Sequence, residues 1–224
     1  MATLDSVNVG RPEPNPWKPV ASTGIDKRPQ EGPVALRDPG PRTTGLGSGL
    51  IGDFVGDVAH HGGADQAVYA YAREDLDTWG RVLGRTLPDG VFGENLTTTG
   101  INLTGALIGE RWRVGAGVVL VVTCPRIPCN TFRGWVGGRD WLKVFTRAAR
   151  PGAYLRVVTP GSIAAGDAVE IVHRPDHDVT VALTYRAITT ERELLGRLLA
   201  AGDDLIEELR ETVAGGRTLD LDEP

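Results

Sequence analysis

The sequence has little sulfur: two cysteines and one methionine among 224 residues. Two cysteines cannot build the disulfide framework of a small secreted protein. Basic residues are also in the minority, with 24 lysines and arginines against 29 acidic residues and a net charge of -5 at pH 7. General nucleic-acid binding requires a basic face, so this balance argues against it. A local basic pocket for one anionic ligand stays compatible with the charge.

Long hydrophobic runs are missing as well. The strongest apolar run, VGAGVVLVVT at residues 114–123, is far shorter than the roughly 20 residues that span a bilayer. The N-terminal MATLDSVNVG has neither a basic region nor an apolar core, so no signal peptide is predicted. We therefore expect a cytoplasmic protein with no membrane association.

Glycine and proline are abundant, with 30 and 15 residues respectively. Frequent turn formers indicate many short strands, so we predict a mainly β fold with some helices, most simply a barrel. Period-2 patterns predict strands, and 3.6-residue patterns with terminal glycines predict helices. The predicted strands lie at 6–10, 111–123 (a pair), 153–159, 167–173 and 179–185, and the predicted helices at 73–84, 139–150, 189–202 and 203–216.

The composition changes late in the chain and suggests a boundary. We predict a β-barrel domain at residues 1–175 and a C-terminal strand and helical appendage at 176–224. Thr190 and Glu193 have the spacing of a capping box, which predicts that the first C-terminal helix begins there.

Both cysteines lie in one proline-rich loop, TCPRIPCNTF at residues 123–132. Pro125 and Pro128 stiffen this loop, and the nearby Arg126 would lower the pKa of a thiol. Cys129 is therefore a candidate ligand for a soft metal or a candidate nucleophile. A small buried hydrophobic residue is an equally good interpretation. Cys124 ends the apolar run and is interpreted as structural, and a disulfide between the two cysteines is disfavoured in a reducing compartment.

Two further segments contain candidate binding groups. His61, Gly62 and Gly63 form a turn whose backbone N–H groups could approach an anion closely, although a plain turn before a strand explains it too. Glu94 and Asn95 in FGENLT could hold the edge of a heterocycle or could brace a loop.

Basic residues in loops complete the candidates. Lys27, Arg28 and Arg126 suit a phosphate group, with a solvated surface as the alternative for the first two. No P-loop, HExxH, Cys-x-x-Cys or GxSxG pattern is present in the sequence.

Eight segments, taken in order, resemble one known family. They are SVNVGRP, GIDKRPQEGPVAL, GLIGD, HHGGADQAVYAY, FGENLT, IGERWRVG, CPRIPCNTF and VVTPGSIAAGDAVEIVHR. This order is similar to that of the MOSC domain (molybdenum cofactor sulfurase C-terminal domain), in its YiiM-like branch, over about residues 6–181. The resemblance implies a pyruvate-kinase-barrel-like β-barrel followed by a small 3-alpha-like helical tail.

The resemblance also implies a molybdenum–molybdopterin cofactor (Moco). It makes Cys129 the molybdenum ligand and catalytic residue. It makes cofactor-binding candidates of Lys27, His61, Gly62, Gly63, Glu94, Asn95 and Arg126. One departure is Cys124, where this branch often has glutamine before Pro-Arg. Pyridoxal phosphate binding enters only as an association of the wider family.

The activity implied by the resemblance is the reduction of N-hydroxylated compounds, such as N-hydroxylated purines, to amines. The sequence shows no iron–sulfur cysteine set and no flavin fingerprint, so we expect an electron-donating partner, either a reductase or an iron–sulfur or flavin protein. A homodimer is possible. The alternatives are a persulfide carrier using Cys129, a non-catalytic cofactor-binding module, and a zinc site built from Cys124, Cys129 and His61, for which a fourth ligand is not evident.

Overall fold

The structure is a computed structural model, and it describes residues 1–138, 140–216 and 218–219. Within these residues the chain forms twelve strands: β1 Ala2–Gly10, β2 Glu13–Pro14, β3 Ser22–Thr23, β4 Lys27–Pro29, β5 Val34–Leu36, β6 Val68–Ala72, β7 Leu96–Thr99, β8 Arg111–Val114, β9 Val118–Pro125, β10 Ala153–Thr159, β11 Gly161–Ile163 and β12 Ala168–His173. The described residues also form five α-helices: α1 Arg73–Leu83, α2 Asn130–Val136, α3 Trp141–Ala148, α4 Val181–Thr189 and α5 Glu207–Gly215. Two 3₁₀ segments are Ala64–Gln66 and Arg192–Asp204.

Seven of the strands close into a mixed barrel. Their order is β12-β8-β9-β10-β6-β7-β1, and β1 pairs again with β12 to complete the ring. Only the β6–β7 pair is parallel among these neighbours. Closure leaves no free edge within the ring, and β4 adds to the far end of β1. The predicted β-barrel with helices is confirmed.

Strand β9 shows why the barrel forms from this sequence. Its side chains at 118, 120, 122 and 124 are all buried in the core. Because neighbouring side chains of a strand point to opposite faces, this alternation directs one face of β9 into the barrel. Cys124 continues the series after Val122, which agrees with its interpretation as a structural residue.

The barrel core extends without a break into the C-terminal segment. One hydrophobic cluster contains barrel residues such as Leu120 and Leu155 together with Leu198, Ile206 and Leu209 of the C-terminal segment. The predicted boundary at 175/176 therefore runs through a shared core, and the division into two domains stays a prediction.

A second cluster is mainly aromatic and includes residues of α1, α2 and α3. Phe92 contacts Phe132 with ring centroids 5.2 Å apart, and Trp79 contacts Trp141 at 4.9 Å, both edge to face. Such pairs are stabilising beyond the area they bury. The helix predicted at 139–150 is present as α3, with Trp141 and Phe145 buried, while α2 was not predicted.

The predicted strand at 179–185 is wrong, because this segment begins α4. The Thr180 hydroxyl accepts a hydrogen bond from the Leu183 amide at 3.0 Å and so caps the helix. Most of α4 is buried, including Val181, Tyr185 and Ile188. A short apolar run that is buried on several sides gives the same sequence pattern in a helix as in a strand. The alternating β-branched residues at 179–185 therefore led to the wrong prediction of a strand.

The predicted capping box is also wrong. The Thr190 amide donates to the Arg186 carbonyl at 2.9 Å and ends α4. The next segment is a 3₁₀ helix that begins after Glu191, whose carboxylate pairs with Arg186 at 2.7 Å. The last helix, predicted at 203–216, begins at Glu207 and ends at Gly215, and Gly216 after it adopts a left-handed conformation.

In the described residues, no helix combines the length and the hydropathy that crossing a bilayer requires.

The shared core predicts that the C-terminal segment contributes to global stability. Leu198 is fully buried, while its neighbour Leu199 is 61% exposed. We expect Leu198→Ala to lower the free energy of unfolding by about 2–5 kcal/mol, because it leaves a cavity in the core. Leu199→Ala should change it little. Urea denaturation of both variants checks this, and equal small effects would show that the segment packs only loosely on the barrel.

Candidate functional site

The candidate site lies where β9 ends. Its residues come from β4, the loops at 53–62 and 93–95, and the cysteine loop that leads into α2. They surround a cavity with an empty volume of about 700 Å³, partly open to solvent. The lining includes six of the residues predicted from the sequence: Lys27, His61, Gly62, Asn95, Arg126 and Cys129. The fold thus brings together groups that are up to a hundred residues apart in the chain.

Cys129 is a half-buried free thiol at the start of α2, packed against the aromatic cluster. Burial alone would raise its pKa. A hydrogen bond with His61, the charge of Arg126 and the Phe132 amide outweigh burial and lower the pKa to about 5. At neutral pH the side chain is therefore a thiolate, the form that binds metals and attacks electrophiles.

Arg126 places a buried positive charge beside this thiolate. Its side chain is only 4% exposed. The guanidinium lies 4.4 Å from the ring centroid of Phe132 and 5.1 Å from that of Tyr69. Nη1 donates to the Phe92 carbonyl at 2.6 Å, whereas the buried Nε has no hydrogen-bond partner among the residues that the structure describes. Because an unpaired buried N–H is costly, this donor is available to an anionic ligand in the cavity.

A buried carboxylate, Asp53, organises the opposite wall. It accepts hydrogen bonds from the Gly10 amide at 2.7 Å and from the Asn95 amide group at 2.9 Å, and it pairs with the Lys27 ammonium. The side chains of Lys27 and Asp53 are 8% and 1% exposed. Asn95 also accepts from the Tyr69 amide at 3.0 Å, so its orientation is fixed. Lys27 and Asn95 are thus held in place at the cavity wall.

The His-Gly-Gly turn serves packing as well as the cavity. Gly62 has φ of +83°, and a side chain there would come within 2.7 Å of the Gly47 carbonyl oxygen. The Gly63 amide donates to that same carbonyl at 2.9 Å, so it is not free to bind an anion. Gly63 does not line the cavity. The predicted cofactor contact at Gly63 is therefore not supported by the structure, whereas Gly62 and His61 do face the cavity.

Glu94 is turned away from the cavity into its own loop. Its carboxylate accepts from the amides of Gly90 and Phe92 at 2.7 and 2.9 Å and from the Thr97 hydroxyl at 3.2 Å. The side chain is fully buried, and burial raises its pKa to about 7 in spite of these donors. The predicted cofactor contact at Glu94 is not supported. Its position is structural, because it shapes the loop whose Phe92 carbonyl binds Arg126.

Cys124 differs sharply from Cys129. It is 6% exposed, and burial raises its pKa to about 12. Both thiols are free. Within the ranges that the structure describes, no three His, Cys, Asp or Glu side chains are grouped as metal ligands. The zinc alternative built on Cys124, Cys129 and His61 therefore has no support from the geometry.

A second, wider cavity adjoins the first and has an empty volume of about 1990 Å³. We call the first the inner cavity and the second the outer cleft. They share Asp57, His61, Gln66, Cys129 and Tyr154 in their linings. The outer cleft lies between the barrel and the C-terminal segment, so the thiolate of Cys129 stands at the junction of the two spaces.

Several lining residues were missed by sequence reasoning. Asp53 lies inside GLIGD, a segment that carried the family resemblance, yet nothing local distinguishes it from a turn residue. Gln66, Tyr69 and Tyr154 lie next to or within strands, where a core role is the usual expectation. Only the closure of the barrel reveals that they meet at Cys129.

Comparisons with known proteins agree with this geometry. A family model described as MOSC domain matches residues 57–170. The uncharacterized protein YflK of Bacillus subtilis is 30% identical over 182 residues, covering 81% of this chain and 78% of that protein. A protein named reductase from Gibberella moniliformis is 29% identical over 181 residues, covering 79% of this chain but 30% of that protein. The crystal structure of YiiM from Geobacillus stearothermophilus has a TM-score of 0.76 and 25% identity, covering 96% of this chain and 99% of that chain.

The low pKa of Cys129 predicts selective reactivity. In cofactor-free protein, we expect iodoacetamide to modify Cys129 at a rate that rises as pH passes through about 5, since only the thiolate reacts. Cys124 should stay unmodified. Arg126→Met should move the midpoint to higher pH, because it removes the neighbouring positive charge. Mass spectrometry of the labelled protein, with Cys129→Ser as control, measures this. A wild-type midpoint near about 8.5, typical of a free thiol, would contradict it.

Proposed function

The chain belongs to the MOSC domain family, in its YiiM-like branch, and from this premise we propose that it binds the molybdenum cofactor and reduces N-hydroxylated compounds to amines. The observation that carries the proposal is the thiolate of Cys129, which faces a cavity also lined by Lys27 and Arg126. A soft anionic ligand beside the buried cation of Arg126, with Lys27 already paired with Asp53, suits a thiolate-bound metal with an anionic organic part.

The residues present fit this cofactor by their chemistry. Cys129 would hold the molybdenum, because its deprotonated sulfur is a soft ligand. Arg126 has a buried N–H without a partner in the described ranges and would bind an anionic group, such as a phosphate. Lys27 and Asn95 are oriented by Asp53 and would hold the polar edge of the pterin. Fixing such ligand-binding groups through surrounding hydrogen bonds is how proteins position a metal centre.

The bound cofactor would supply two-electron removal of the hydroxyl oxygen. Overall, an N–OH compound, two electrons and two protons give an amine and water. The chain's own contribution is to keep the sulfur of Cys129 deprotonated and to place the His61 imidazole beside it, where both cavities meet. The imidazole there is a candidate proton donor to the substrate.

The electrons would come from a separate partner protein, as the sequence predicts. The relative named reductase supports a redox role, although this chain spans 30% of that protein. Cytoplasmic location, a possible homodimer and the identity of the donor remain predictions. The persulfide carrier remains the second candidate, because the same low pKa of Cys129 would also favour it.

Metal content tests cofactor binding directly. We expect wild type made in a host that synthesises the cofactor to contain near-stoichiometric molybdenum and pterin, and Cys129→Ala to lose the molybdenum. Cys124→Ala is the matched control and should retain it. Metal analysis and fluorescence of oxidised pterin measure both. No molybdenum in wild type, from a host that loads another molybdoenzyme, would contradict the proposal, and labile sulfur on Cys129 would favour the carrier.

Activity is tested separately. We expect the loaded wild type to convert an N-hydroxylated purine to the amine when a reduced viologen dye supplies the electrons. Cys129→Ala should reduce this rate to background, because the metal is no longer held. Chromatography of the amine product measures the rate. A loaded wild type with no turnover of any N-hydroxylated compound would rule out the reductase role while leaving cofactor binding intact.

A further inference from the structure

The outer cleft has the size and chemistry of a second binding space. Its empty volume of about 1990 Å³ is nearly three times the 700 Å³ of the inner cavity. Its walls are mainly apolar and come from both sides: Trp17, Pro19 and Ile127 on the barrel side, and Ile206, Leu209 and Thr212 on the C-terminal side. Apolar walls with a few polar groups at one end are typical of small-molecule sites.

The charges in the outer cleft are already neutralised. Lys18 pairs with Asp57 at 2.9 Å, and Arg42 pairs with Glu208 across the cleft. Lys18 and Arg42 are the lysine and the arginine among the described residues that line the outer cleft. In the inner cavity Lys27 is likewise paired with Asp53, but the buried Nε of Arg126 has no hydrogen-bond partner among the described residues. An anionic ligand therefore has a better binding site in the inner cavity, and the outer cleft suits a neutral ligand.

The two spaces meet at the reactive sulfur. Cys129, His61 and Tyr154 line both of them. A ligand lying in the outer cleft can therefore bring one end to Cys129 while the rest of it contacts apolar walls. This arrangement orients a ligand that has a polar head and a flat apolar body.

We propose that the outer cleft is the substrate-binding site, that it takes neutral, flat, mainly apolar N-hydroxylated compounds, and that α5 sets their size through Thr212. The proposal rests on the reductase function argued above. Thr212 lies on the same helical face as Glu208 and Leu209, which also line the cleft. The Thr212 hydroxyl donates a hydrogen bond within α5, to the Glu208 carbonyl at 2.8 Å. The side chain would therefore limit the size of the ligand by the space it occupies and not by a hydrogen bond to the ligand.

The test compares two tryptophans on one helix. Thr212→Trp fills the cleft, whereas Glu211→Trp adds the same side chain at an exposed neighbour that does not line it. With cofactor-loaded protein, we expect Thr212→Trp to raise KM for N-(1-naphthyl)hydroxylamine about tenfold or more, a typical effect of altered pocket volume. The ratio of the KM for this compound to the KM for hydroxylamine should therefore rise in Thr212→Trp. Glu211→Trp should resemble wild type with both substrates.

A binding measurement makes the result independent of turnover. Calorimetric titration with 1-naphthylamine, the product, should show binding to loaded wild type and to Glu211→Trp, and at least about tenfold weaker binding to Thr212→Trp. Thr212→Leu should give an intermediate effect. It serves in place of Thr212→Trp if thermal melting shows that the tryptophan variant does not fold.

The outcomes separate the two proposals. If wild type reduces nothing but binds naphthylamine in a Thr212-dependent way, the reductase function fails and the apolar site stands. If the naphthyl substrate is reduced with equal KM by all variants, the outer cleft is not the substrate site. If Thr212→Trp loses molybdenum or pterin while Glu211→Trp keeps both, the cleft holds the outer part of the cofactor, which overturns the proposal.

Discussion

The burial of one guanidinium, that of Arg126, is the constraint on which the site depends. A buried charge is costly unless aromatic faces and hydrogen-bond acceptors compensate it. Phe132 and Tyr69 supply the faces, and the Phe92 carbonyl supplies an acceptor. That carbonyl is in place because Glu94 holds its loop. Structure and electrostatics are therefore linked: the groups that make burial of Arg126 tolerable also define the cavity.

The inner cavity and the outer cleft differ in how their charged side chains are paired. On the inner side, Lys27 is paired with Asp53, but Arg126 lies close to a thiolate and its Nε has no partner in the described part of the chain. On the outer side, the lysine and the arginine of the described lining each have a carboxylate partner. An anionic group would therefore bind on the inner side of Cys129 and a neutral group on the outer side, without a conformational change. This separation of the two groups requires both the barrel and the C-terminal segment, which share one hydrophobic core.

Sequence patterns predicted the parts of the fold that local physics determines. The alternation in β9 and the helical stripe of α1 are strong local signals, and both elements were predicted. The segment at 179–185 was misread, because burial of α4 on most sides removes the period that separates helix from strand. Tertiary contacts decided that case.

The candidate site was predicted in part for the same reason. Cys129 and Arg126 stand in a proline-braced loop whose chemistry is visible locally. Glu94 was assigned to the cofactor, but its carboxylate is satisfied by nearby amides, which no spacing rule reveals. Asp53 was overlooked, because its partners come from β1, β4 and the loop before β7. Roles that depend on pairing across the barrel can be read only once it has closed.

The way the barrel closes also bears on how the chain folds. The first strand is the last piece of the ring, since Ala2 pairs with Val169 while the other side of β1 pairs with β7. Contacts this distant in sequence form slowly, because a long loop must be ordered before they are made. During synthesis, β1 must wait for nearly the whole barrel to be made before its second partner exists. The outer cleft, whose walls include Ile206 and Leu209, would form only after that closure.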